Sequence, residues 1–237
     1  METKLKILAV VLLLSQTVSA ATGVKIVQLS GEVKVRRGVE EKWEAAAGGM
    51  PLEESDTIMT LEAGEVVLEL ANGSRFRLSA NAILDISELR EITERELFLL
   101  LMQEKVGKLK PDSGKIPLRI GAVSAVRASD KSVKPTEKRA SAPDWQLATN
   151  AARALRAQDY LTNAALKLHR VQKEHPARED CGEVNFELAQ TFEALRQKGK
   201  ARDAYQVALA ECKAATCRNV EAQKREAAIN EALRRLQ

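Results

Sequence analysis

The chain has 237 residues, 45% hydrophobic and 30% charged, with 37 basic and 33 acidic side chains and a net charge of +4. That length allows one large domain or two small ones. Aromatics at 3% argue against a stacking platform for single-stranded nucleic acid. Only 12 glycines exclude collagen-like and Gly-rich linker classes, and the diluted basic excess does not announce a DNA-binding surface.

Residues 1–20 have the pattern of a secretory leader. Lys4 and Lys6 give a positive start, Ile7 to Leu14 an apolar run of eight residues, and Val18-Ser19-Ala20 a small-residue cleavage site. As a helix such a run rises only about 15 Å, against a hydrocarbon core of roughly 30 Å. Cleavage after Ala20 is therefore expected rather than anchoring. No cysteine follows the run to carry a lipid, and no second run reaches spanning length. The expected location is periplasmic or secreted, where cysteines can form disulfides.

From residue 21 to 128 the apolar period is two. Lys25–Leu29 and Glu32–Arg36 alternate on either side of the turn signal Ser30-Gly31. Glu65–Leu70 and Arg75–Leu78 flank Asn72-Gly73-Ser74, which reads as a type I′ hairpin. Further strands are expected at Ala82–Ile86, Glu96–Leu101, Ile116–Ile120 and Ala122–Val126. The continuous apolar run Leu97–Met102 is also compatible with a buried helical turn. Short strands with frequent turns point to an all-β sandwich or β-roll.

This half resembles the FecR domain, a bacterial envelope module. The resemblance rests on Gly31, then Trp43, then Asp56, Ile58 and Thr60 in Ser-Asp-Thr-Ile-Met-Thr, then Asn72, Gly73 and Ser74. Asn81-Ala82-Ile83-Leu84 and Val106-Gly107-Lys108-Leu109 fit the next two family elements. The chain departs from the family where Ser55 replaces a usual glycine, and where Val126-Arg127 runs into a charged stretch instead of a last strand. The resemblance implies a cell-wall context and, through it, possible peptidoglycan binding. It does not bring regulation of a sigma factor, because only Met1 to Lys6 precede the apolar run. Taken by themselves, Asp56 is a turn residue bonding the nearby backbone, and Trp43 is a core or edge anchor.

Residues 129–143, with two prolines and six charges, read as a flexible linker. Beyond them, over 144–237, the period becomes 3.6 and alanine is abundant. Five helices are expected: Asp144, as a cap, to Ala157; Tyr160–Lys173; Val184–Arg196; Ala201–Lys213; and Asn219–Leu236. The first four make two pairs that resemble tetratricopeptide repeats. In the second pair Leu188, Ala189, Phe192, Ala201, Tyr205 and Ala208 take the signature places. The fifth helix then serves as a cap; a plain five-helix bundle is the alternative.

Laying the second pair antiparallel about Gly199 brings Cys181 opposite Cys217, so a Cys181–Cys217 disulfide is expected, with Cys181–Cys212 as the alternative. His169 and His175 lack the spacing to complete a zinc site.

No phosphate cradle, nucleophile elbow or metalloprotease motif occurs in the sequence. No catalytic residues, cofactor or metal are assigned, and Glu53, Glu54 and Asp56 read as solvated acids of a turn. The expected function is non-enzymatic binding or scaffolding in the cell envelope, with a protein or peptide partner and no nucleic acid. If the helices follow the repeat pattern, a partner groove is lined by Gln146, Thr149, Arg153 and Arg156, then Glu183, Phe186, Gln190 and Glu193. In that groove Arg153 and Arg156, one turn apart, could hold a peptide carboxylate.

Overall fold

A computed structural model describes residues 23–106, 142–214, 217 and 219–236. The leader, the strands expected at 116–120 and 122–126, and the linker up to residue 141 lie outside the described residues.

Eight short strands form the amino-terminal half: β1 (Val24–Ser30), β2 (Val33–Arg36), β3 (Trp43–Ala45), β4 (Pro51–Leu52), β5 (Thr57–Thr60), β6 (Glu65–Glu69), β7 (Arg75–Leu78) and β8 (Ala82–Asp85). They make two antiparallel sheets, ordered β4-β1-β6-β7 and β3-β2-β5-β8. Alternation does the work here: Val33 and Val35 on β2, Phe76 and Leu78 on β7, and Ala82 and Leu84 on β8 all point into one core. Burying that face drives the sheets together, while Lys34, Arg75 and Arg77 stay outside.

Ser30-Gly31 is a turn, as expected, but it does not close a hairpin. β1 pairs with β4 and β6, whereas β2 pairs with β3 and β5, so the chain crosses between sheets at this corner. Gly31 has φ +64°, and a Cβ there would lie 2.0 Å from the Ala63 carbonyl oxygen. Only glycine permits so close an approach of the two backbones.

The Asn72-Gly73 hairpin forms with a different turn. Gly73 N–H donates to the Leu70 carbonyl, Leu70 N–H donates to the Ser74 carbonyl, and Gly73 alone of the loop has positive φ, +80°. That is a three-residue loop, a type I turn followed by a left-handed glycine, rather than type I′. Asn72 stays in the ordinary region because its Oδ1 accepts from Ser74 N–H at 2.9 Å and from Ser74 Oγ at 2.6 Å.

After a 3-10 turn over Ile86–Leu89 comes α1 (Glu94–Val106). The strand expected at Glu96–Leu101 is therefore part of a helix. Leu97 is buried and Leu100 and Leu101 are half-buried, all against the helical half rather than the sandwich. A continuous apolar run has no period of two to hold it in a sheet, so tertiary contacts decide its form. Phe98, Leu99 and Met102 remain on the outer face of α1.

The carboxyl-terminal helices are α2 (Asp144–Ala157), α3 (Leu161–Glu174), α4 (Glu183–Ala194), α5 (Lys198–Cys212) and α6 (Val220–Arg235). Asp144 is the first helical residue and Pro143 stands at the cap, with no side-chain cap bond. Asp144 still favours this end by facing the positive pole of the helix dipole. Asn219 does cap α6, its Oδ1 accepting from Ala222 N–H at 2.7 Å. Each helix packs on the next in chain order, from α2 to α6. Ala164, Ala189, Ala201 and Ala208 are fully buried, and these small side chains let the backbones come close while Tyr205 and Phe192 fill the remaining space.

The two halves share one packed seam. α2 lies along the flank where β7 and β8 end their sheets, and Ala151, Leu155 and Ala164 belong to the sandwich core. Leu147 covers the opposite face of β5 and β8 with Met59 and Ile83. The Gln158 amide pairs with the free edge of β7: Arg77 N–H donates to its Oε1 at 2.7 Å, and its Nε2 donates to the Arg77 carbonyl at 2.8 Å. An edge strand is thereby capped against pairing with other chains. Asn150 Nδ2 donates to the Asn81 carbonyl at 2.7 Å, and Asn163 Nδ2 donates to those of Glu88 and Arg90, each at 2.8 Å. A buried ion pair, Lys167 Nζ to Glu88 Oε2 at 2.6 Å, completes the seam.

Candidate functional site

The helix face expected to hold a partner is assembled but already engaged. Arg153 on α2 donates from Nε to Glu187 and from NH2 to Glu183, both at 2.6 Å, and from NH1 to Asn150 at 2.7 Å. Burial works against the Arg153 charge, yet Glu187 and Glu183 more than offset it and raise its pKa above the usual value. Arg156 pairs with Glu187 Oε2 at 2.8 Å and donates to Gln190. Glu183 also meets Arg225 on α6 at 3.4 Å. Glu193 accepts from Tyr205 Oη at 2.9 Å and meets Arg235 at 3.3 Å. Burial and that carboxylate push the Tyr205 pKa upward, so the phenol stays protonated.

Thr149 is buried and donates to the Trp145 carbonyl at 2.7 Å. Phe186 packs tilted against Tyr205 with ring centres 6.0 Å apart, and Gln146 is half-buried. The two arginines thus bind carboxylates of their own chain. Charged groups that are mutually satisfied across α2, α4 and α6 hold the stack in register.

The disulfide joins Cys181 to Cys217, with Cα atoms 5.4 Å apart. Cys212 keeps a buried thiol that donates to the Cys181 carbonyl at 3.0 Å, and burial raises its pKa. The alternative pairing is thus not the one formed.

In the β half, Asp56 is a structural carboxylate. It accepts from Arg37 NH1 at 2.7 Å, from Glu53 N–H at 2.9 Å and from Gly38 N–H at 3.0 Å. Burial alone would raise its pKa; the two backbone donors and the Arg37 guanidinium outweigh it and hold the group below the usual carboxylate range. A depressed folded pKa contributes stability that is present above about pH 4 and is lost as pH falls through the folded value. Asp56→Asn is expected to cost about 1–3 kcal/mol at neutral pH and to flatten the acid limb below about pH 4. Urea unfolding across pH 2–7 measures both effects.

Ile58 fills the sandwich core, and Thr60 donates to the Ser79 carbonyl at 2.6 Å while accepting from Ala82 N–H at 3.0 Å. Arg36 stacks over Trp43 at 5.2 Å, which makes Trp43 an edge anchor. The signature residues Asp56, Ile58, Thr60 and Asn72-Gly73-Ser74 therefore build turns and core.

What the sequence did not single out is a cleft of about 640 Å³ at the seam between the halves. Its floor is apolar: Val24, Leu52, Leu70, Ile86 and Leu89. Tyr160, in the link between α2 and α3, forms one wall, held edge-on against Phe76 at 5.8 Å. Glu53, Glu54 and Glu91 stand exposed on the rim. On the far side of Tyr160 a second depression of about 530 Å³ shares Asn72 and Glu91. Volumes of this size and an apolar floor with few polar groups are typical of ligand sites. The cleft draws on β1, β4, the β6–β7 loop, the 3-10 turn and the α2–α3 link, so no local motif could reveal it. Asn72, singled out for its hairpin, and Glu53 and Glu54, read as ordinary turn acids, were the nearest signals.

Among the described residues no three His, Cys, Asp or Glu side chains converge so as to hold a metal ion. Among them, too, no helix is long and apolar enough to cross a membrane. No family model, curated protein or solved structure matches this chain.

Proposed function

We propose that this is an exported, non-enzymatic binding or scaffolding protein of the bacterial cell envelope, and that its ligand enters the cleft at the seam. In this reading a FecR-like β module and tetratricopeptide-like helical pairs act as one recognition body. The carrying observation is the apolar-floored cleft, set beside a helix face whose arginines are spent on Glu183 and Glu187. The leader pattern of residues 1–20 and the Cys181–Cys217 bridge support an oxidising compartment.

A photo-reactive amino acid at Ala71, an exposed residue lining the cleft, is expected to cross-link the ligand in intact cells. The same group at Gln146 on the helix face is expected to capture nothing. Adducts at Gln146 and none at Ala71 would return the ligand to the helix face. A glycan ligand is the second reading, favoured by an aromatic wall, Tyr160, next to the Asn72 amide. It predicts sedimentation of the protein with isolated peptidoglycan, lost in Ala71→Trp.

A further inference from the structure

We propose that the cleft selects an extended peptide whose apolar side chain is flanked by lysine or arginine. This deepens the reading of the cleft as the binding site and rests on it. The floor is shaped for an aliphatic side chain, since Val24, Leu70 and Tyr160 are only half-buried and present carbon to the opening. The rim supplies the selection. Glu53 and Glu91 are exposed, and the Glu91 charge lies near enough to Tyr160 to help raise the pKa of its phenol. Glu54 adds a third carboxylate beside them.

The cation on the same rim is Arg90: its NH2 donates to Glu96 at 2.6 Å, and Glu96 together with the nearby Glu54 raises its pKa. Across Tyr160 the second depression adds Glu94 and Asp159 against Arg75. A chain with a net charge of +4 thus gathers an excess of carboxylates around its apolar cleft, Glu53, Glu54 and Glu91 against the single Arg90. An anionic ligand would face repulsion on both sides, and a neutral one would leave the rim charges unused. A cationic segment gains steering toward the cleft as well as rim contacts.

The test measures fluorescence polarisation of fluorescein-labelled Lys-Leu-Val-Leu-Lys and Glu-Leu-Val-Leu-Glu peptides with the full exported chain. The basic peptide is expected to bind, and more weakly as salt rises from about 50 to about 300 mM. The acidic peptide is expected not to bind. Glu53→Gln with Glu91→Gln, both at exposed positions, is expected to weaken binding about 3- to 10-fold. Ala71→Trp, which fills the cleft from an exposed loop, is expected to abolish it.

Equal binding of both peptides, or unchanged affinity in the double glutamine variant while Ala71→Trp still abolishes binding, overturns the charge selection and leaves the cleft as the site. Binding that survives Ala71→Trp overturns the cleft as well. Binding of soluble peptidoglycan fragments and of neither peptide overturns the peptide in favour of a glycan, and binding of none of these probes overturns the proposed ligand class outright.

Discussion

Removing the Cys181–Cys217 bridge is expected to lower stability by about 4 kcal/mol, the chain-entropy value for a loop of 36 residues. The bridge spans α4 and α5 and fixes the chain just ahead of α6. Opening it frees that whole hairpin in the unfolded state. For a chain of this size the loss corresponds to a fall in Tm of roughly 10 °C. Cys181→Ser with Cys217→Ser, or reductant added to the unaltered protein, is expected to show the same shift in scanning calorimetry. Cys212→Ser is expected to move Tm much less, because its buried thiol contributes only a weak hydrogen bond and a small apolar volume. Equal shifts in the two variants would show that the bridge contributes no more than local packing.

Truncating Leu155 to Ala is expected to cost about 2–5 kcal/mol, the range for a large buried aliphatic side chain. The informative feature is where the loss is felt. Leu155 sits on α2 yet is fully buried in the sandwich core with Phe76, Leu78 and Leu84. Both halves are therefore expected to unfold together, in one transition that moves intact to lower temperature. Far-ultraviolet circular dichroism resolves helix and strand signals, and the milder Leu155→Val keeps the measurement possible if Leu155→Ala does not fold. A helical transition that moves alone, with the strand signal unchanged, would show that the halves fold separately despite their shared core.

The shared core is what the sequence reading did not reveal. Two periods, two in the first half and 3.6 in the second, are written in the chain and gave the right element type for β1, β2, β6, β7 and β8 and for α2 to α6. They also suggested two units joined by a tether, because periodicity reports which face of an element is buried and not what covers it. Ala151 and Leu155 look like any apolar stripe of a helix pair; only the fold places them against β7 and β8. Leu97–Met102 stayed open between strand and helical turn for a related reason, since an unbroken apolar run carries no period and takes its form from the helices it meets. Arg153 and Arg156 lie together with Glu183 and Gln190, but these partners stand 30 to 34 residues further along the chain. Ion pairing at that distance cannot be seen without the helix stack.

The sequence by itself determined strands β1, β2, β6, β7 and β8 and helices α2 to α6, the positions of the turns at Gly31 and Gly73, and the choice of Cys181 and Cys217, because each depends on neighbouring residues or on a simple hairpin. The tertiary structure alone decided that strands on either side of Gly31 enter different sheets, that the arginines serve their own chain, and that five separate segments meet in a cleft beside Tyr160. Those outcomes depend on burial against distant surfaces. Apolar area removed from water has no direction along the chain, so its partners are fixed only when the whole core closes.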